Sequence, residues 1–185
     1  MRRRHTATVE EYARVTDSAR FGVLHEVAEA LLDELTERYT VERRETKEPL
    51  GAEADAPIVR VTRLVPHSPA AGPLAVAFTD FPGIVLRLGR WYEDRFPACG
   101  CDDCDERPAD LIADFRSHAA AHVEGGLWER VHRVLTGSWR ETRLVGPGFS
   151  LVGTELLDSA EARSARREGF AAPVQWAPWP RRGPA

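Results

Sequence analysis

Residues 58 to 91 read Ile58-Val59-Arg60-Val61-Thr62-Arg63-Leu64-Val65-Pro66-His67-Ser68-Pro69-Ala70-Ala71-Gly72-Pro73-Leu74-Ala75-Val76-Ala77-Phe78-Thr79-Asp80-Phe81-Pro82-Gly83-Ile84-Val85-Leu86-Arg87-Leu88-Gly89-Arg90-Trp91. The first eight alternate Ile58, Arg60, Thr62 and Leu64 against Val59, Val61, Arg63 and Val65, the period-two signature of a strand. Leu74–Phe78 and Ile84–Trp91 are further extended runs rich in β-branched and aromatic residues. Pro66, Ser68, Pro69, Gly72 and Pro73 break the first run from the second, and Pro82-Gly83 breaks the second from the third. Connections this short join antiparallel neighbours, because a parallel crossover needs a dozen residues or more, so the segment predicts a meander.

Working outward toward the N-terminus, Val41–Thr46 adds a short strand, and residues 47–57 form a polar, aperiodic loop. Before it, Phe21, Leu24, Ala28, Leu31, Leu32 and Leu35 recur at helical spacing, with Glu26, Glu29, Asp33, Glu34 and Glu37 largely opposite. That predicts a helix from Ser18 to about Tyr39, capped by Asp17 or Ser18. A short amphipathic turn over Val9–Val15 precedes it. In the other direction, Pro108 occupies a first helical position, and Leu111, Ile112, Phe115, Ala119 and Val123 form one apolar face ended by Gly125-Gly126. Leu127, Val131, Val134 and Leu135 predict another short helix. Ser138–Val145 and Phe149–Leu156 flank Gly146-Pro147-Gly148 as a hairpin, and a polar helix over Asp158–Glu168 leads into a tail containing Pro173, Trp176, Pro178, Trp179 and Pro180. The two tail tryptophans are expected to pack back onto the domain.

The pattern predicts an α+β fold: N-terminal helices, an antiparallel sheet of about five strands, and helices from 108 to 136 covering one face. Residues 1–157 are expected to form a single domain, followed by the 158–185 polar helix and Pro/Trp-rich tail. The chain of 185 residues is long enough to bury a core without disulfides. Apolar residues at 43% and charged residues at 29% exclude a disordered or collagenous chain. Its 25 basic and 29 acidic residues give a net charge of −4, which lacks the positive field that phosphate backbones require, so no nucleic-acid partner is expected. Arg2-Arg3-Arg4 is not followed by an apolar run of signal-peptide length, and no stretch approaches a membrane span. A soluble, cytoplasmic protein is expected. Lys47 is the only lysine, an arginine-for-lysine bias that GC-rich codons produce.

All three cysteines fall within Cys99-Gly100-Cys101-Asp102-Asp103-Cys104. The odd count and the expected cytosolic setting argue against a disulfide framework. Asp102, Asp103, Asp105 and Glu106 raise thiol pKa values and disfavour a reactive thiolate, whereas the same carboxylates attract a divalent cation that deprotonates thiols outright. Arg95 and Arg107 bracket the segment and offset part of that negative field. Cys101 and Cys104 have a zinc-knuckle gap, and Gly100 permits the sharp turn that brings Cys99 to join them. The pattern predicts a structural metal site, with zinc as its cofactor, lacking only its fourth ligand. Asp105 or Glu106 can reach locally, His118 or His122 if the next helix folds back, and His67 across a longer loop. The alternatives are a redox pair of Cys101 and Cys104, or inert packing cysteines.

Asp114, His118 and His122 are spaced by four and share a helix face, which two histidines can use to chelate a metal in a small metal-dependent enzyme. The plainer reading is a helical Asp–His pair at the edge of the core; His25 reads the same way, and His132 reads as a solvated helix residue. No glycine-rich phosphate loop or nucleophile elbow is present. Trp139-Arg140-Glu141-Thr142-Arg143 reads as one solvated and one packed sheet face. The leading expectation is therefore an accessory or binding protein without catalysis.

Two blocks carry a resemblance. Tyr12-Ala13-Arg14-Val15-Thr16-Asp17 near the start and Phe96-Pro97-Ala98-Cys99-Gly100-Cys101-Asp102-Asp103-Cys104-Asp105 at the centre resemble the Tyr-x-Arg-Val-Thr and Cys-Gly-Cys-Asp-x-Cys-Asp blocks of a family of small actinobacterial proteins known as a domain of unknown function. The resemblance runs loosely from about residue 10 to 150. It implies that the three motif cysteines matter to the fold or the site, and it implies no substrate. His118 and His122 lie outside the motif.

Overall fold

A computed structural model describes residues 15–47 and 57–183. The expected turn over Val9–Val15, the block Tyr12-Ala13-Arg14 and nearly all of the 47–57 loop lie outside the described residues. Strands β1 (Val41–Thr46), β2 (Ile58–Pro66), β3 (Leu74–Thr79), β4 (Ile84–Leu88) and β5 (Tyr92–Phe96) form an antiparallel sheet in sequential order, the expected meander. The stretch from Ile84 to Trp91 is not one extended run, because Gly89 adopts φ +59 and turns β4 into β5. A Cβ there would meet Trp176 and Glu129 side chains at 2.6 Å, so glycine is required twice over.

Helix α1 (Val23–Arg38) follows a 3-10 turn at Ser18–Gly22, and Asp17 makes no side-chain capping bond, unlike the single capped helix expected. Helix α2 (Pro108–Val123) begins on Pro108 as expected. Leu64, Leu74, Val76, Phe78, Ile84, Leu86 and Leu88 point from the first sheet into one core with Leu24, Leu32, Leu35 and Phe115 of the helices. On the opposite face Val61, Ala75, Ala77 and Val85 form a smaller cluster.

The largest departure lies beyond α2. Residues 127–134 are strand β6 rather than a short helix, and with β7 (Gly137–Gly146), β8 (Phe149–Leu157) and β9 (Val174–Gln175) they form a second antiparallel sheet, order β8-β7-β6-β9. The spacing of Leu127, Val131, Val134 and Leu135 mimics a helix because the inward residue between Leu127 and Val131 is Glu129, a charged group at 0% exposure. Its carboxylate explains its position: Oε1 accepts from the backbone N–H of Trp91 (2.7 Å) and Tyr92 (3.3 Å), and Oε2 from the N–H of Arg90 (2.9 Å) and from Trp176 Nε1 (2.7 Å). Burial pushes this carboxyl above the ordinary range, against the pull of its donors.

Glu129 thus joins the β4–β5 turn, β6 and the C-terminal segment. Helix α3 (Ser159–Arg167) is capped by Asp158, whose Oδ1 accepts from Ala160 and Glu161 N–H, as expected of the polar helix. The tail folds back: Trp179 is 3% exposed, its N–H reaches the Val123 carbonyl, and its Nε1 donates to the Gly72 carbonyl at 2.9 Å. Among the described residues no helix is long and apolar enough to cross a membrane.

Candidate metal centre

The cysteine loop leaves β5 through a cis Phe96–Pro97 bond and enters α2 at Pro108. Gly100 takes φ +76, and a Cβ there would sit 2.8 Å from Phe81 Cζ, so the ring below and the backbone conformation both demand glycine. A 3-10 turn over Asp102–Cys104 follows, ended by Asp105 at φ +47.

Glu106 holds this shape. Its Oε1 accepts from Ala98 N–H (2.8 Å), and its Oε2 from Cys99 (3.1 Å) and Gly100 (2.8 Å) N–H. Asp102 Oδ1 accepts from the N–H and hydroxyl of Thr16 at 3.1 and 3.2 Å, so the two sequence blocks that carry the resemblance meet in space.

This frame turns three sulfurs toward one point. Cys99 Sγ lies 3.1 Å from Cys101 Sγ, Cys101 Sγ lies 3.2 Å from Cys104 Sγ, and all three lie within 4.8 Å of one another, a group able to hold a metal ion. All three are free thiols; Cys101 is buried, and Cys99 and Cys104 are exposed. Thiolates around tetrahedral zinc at about 2.3 Å stand about 3.8 Å apart, so the two close pairs need to spread by roughly 0.6–0.7 Å. Hydrogen bonding with Cys99 and Cys104 pulls the Cys101 thiol below its ordinary value, and the Cys104 thiol, hydrogen-bonded with Cys101, is pushed up to about 12. The dominant influence is therefore sulfur on sulfur rather than the flanking carboxylates. Cys101 ionises before Cys104, and a cation would release the remaining protons.

The proposed fourth ligands sit elsewhere. Asp105 faces Arg107 at 3.8 Å, and Glu106 is engaged by the loop backbone. His118 Nδ1 lies 3.1 Å from Asp94 Oδ2 and 3.2 Å from the Tyr92 hydroxyl. His122, at 0% exposure, places Nε2 3.0 Å from the Gly72 carbonyl and 3.1 Å from that of Pro73, and burial lowers its pKa to about 4. His67 lies at the end of β2, its N–H on the Thr40 carbonyl. Asp114 is exposed on α2. Among the described residues none of these joins the sulfur group, and Asp114, His118 and His122 do not converge on one another as a metal-holding set.

Sequence reasoning missed the Tyr92–Asp94–His118 cluster. Its signal is the i, i+2 placement of Tyr92 and Asp94 on one face of β5, which becomes visible only once α2 is known to pack there. It also took Glu106 for a ligand candidate rather than the loop's organiser.

No curated protein and no solved structure matches the chain. A family model does match, over residues 2–183, well beyond the 10–150 stretch of the resemblance. The chain accordingly belongs to DUF6226, a family of unknown function.

Proposed function

We propose that this is a cytoplasmic accessory or binding protein, without catalysis, in which Cys99, Cys101 and Cys104 ligate a structural zinc that braces the loop between the first sheet and α2. The single observation that supports this reading is the convergence of the three sulfurs within 4.8 Å on a loop already shaped by Glu106 and Gly100. Three soft thiolates within reach of one point favour zinc over harder cations. The fourth position is then filled by water. Residues 1–157 act as one α+β domain, onto which 158–185 is clamped. The arginine-rich, lysine-poor composition supports an actinobacterial source.

The test is elemental analysis by mass spectrometry of protein purified without a metal-affinity tag, beside a Cys101→Ser, Cys104→Ser double variant. About one zinc per chain, lost in the variant, is the expected result. Chelation then lowers the melting temperature by several degrees, since a ligand held at 100 times its Kd contributes about 2.7 kcal/mol. No metal in either protein overturns the proposal.

One observation favours a second reading. The 3.2 Å Cys101–Cys104 approach and the lowered Cys101 thiol suit a redox pair, in which glutathione disulfide takes two electrons and two protons as the S–S bond forms. Metal-free protein whose mass falls by about 2 Da on such treatment selects it.

A further inference from the structure

Several arginines of this acidic chain are neutralised in place: Arg43, Arg60, Arg87, Arg90, Arg130 and Arg140 each pair with a glutamate. Arg133, Arg163 and Arg166 have no ion-pair partner among the described residues, and all three line one open cleft of about 630 Å³. The cleft lies where the β6–β7 turn, the end of β8 and the start of α3 meet. Arg166 is held in place by a hydrogen bond from Nη2 to Ser138 Oγ at 3.0 Å. The single carboxylate in the lining, Asp158, caps α3 by accepting from Ala160 and Glu161 N–H through Oδ1. Three cations therefore face one carboxylate, whose charge acts on Arg163 and whose Oδ1 is engaged by the cap, which leaves a net positive lining.

We propose that this cleft binds a phosphoryl group. Guanidinium forks match the oxygens of a phosphate and tolerate partial desolvation better than ammonium groups. Three of them suit a dianion better than a single carboxylate. The Thr136 and Ser138 hydroxyls supply neutral donors, and Leu156 and Leu157 provide an apolar wall for the organic part of the ligand. The volume falls in the range of small-molecule sites. Next to it, Leu135 is fully exposed and Val134 is 44% exposed at the turn, so the phosphoryl group is carried either by a soluble metabolite or by a lipid headgroup.

The full chain is titrated with inorganic pyrophosphate at low salt by calorimetry, and in parallel mixed with phosphatidylcholine vesicles with and without phosphatidylglycerol. Saturable pyrophosphate binding that weakens with salt is expected, falling about tenfold for each guanidinium removed in an Arg133→Gln, Arg163→Gln double variant. Arg63→Gln, Arg143→Gln, which removes the same charge from exposed arginines outside the cleft, should change affinity less than twofold. Binding to phosphatidylglycerol vesicles alone, lost in the cleft variant, assigns the phosphoryl group to a headgroup. Equal loss in both double variants, or no binding to either probe by a wild type whose melting curve matches the variants, overturns the proposal.

Discussion

Two carboxylates, Glu106 and Glu129, each gather three N–H donors from a tight stretch of backbone, and Glu129 takes a fourth from an indole. Glu129 does so at 0% exposure, between two sheets, with an indole completing the set. Glu106 does so at the rim, and the backbone it gathers carries thiols that still have lone pairs to give. A buried charge whose donors are all supplied is committed to the fold, because any rearrangement strands several polar groups out of water. A half-exposed charge that shapes a loop leaves the chemistry of its neighbours available. Burial alone does not mark a functional group; unspent valence at the surface does.

The contrast is broken most forcefully at Glu129. Glu129→Ala leaves three backbone N–H groups and the Trp176 indole without an acceptor, and a loss of about 4 kcal/mol or more in urea-unfolding stability is expected. A loss under about 1 kcal/mol would erase the distinction. Next comes His122, whose ring is buried with Nδ1 unpartnered, so that a second proton has no acceptor. The folded chain binds that proton only near pH 4, while the unfolded chain binds it near 6.5. Stability is therefore full above about pH 6.5 and falls by about 3 kcal/mol toward pH 4. Urea midpoints across that window should show a slope that His122→Gln flattens.

At the loop, Glu106→Ala should cost only about 1–2 kcal/mol, since the N–H groups it frees are near water. The zinc affinity proposed for the loop, read by competition with a chromophoric chelator, should nonetheless drop at least tenfold. Unchanged affinity would mean that the sulfurs converge without Glu106. Smallest of all, Thr16→Val removes one of the two hydrogen bonds from Thr16 to Asp102, both exposed, and should shift stability by less than about 1 kcal/mol.

What the sequence reveals follows the same division. The meander from Ile58 to Leu88 was legible because alternation and turn residues agree, and the hairpin around Gly146-Pro147-Gly148 was legible for the same reason. Strand β6 was not, because its inward Glu129 breaks the apolar alternation, and only the tertiary arrangement of Arg90, Trp91 and Trp176 makes a carboxylate acceptable there. The convergence of the cysteines was legible in their spacing and in Gly100. The fourth donor was not, since four-residue spacing puts His118 and His122 on one side of α2 but says nothing of Asp94, Tyr92 or the Gly72 carbonyl waiting there.

The indole that completes Glu129 sits 47 residues downstream of it. At ribosomal speeds of about 5–20 residues per second, β6 is made several seconds before its last partner. During that interval the nascent chain carries a charged strand with no closed interior to receive it, and Gly72 waits for Trp179 as well. Synthesis order thus makes the C-terminal tryptophans the last pieces of the fold to arrive: until residues 176 and 179 are made, Glu129 and the Gly72 carbonyl each lack an indole donor that they have in the finished chain.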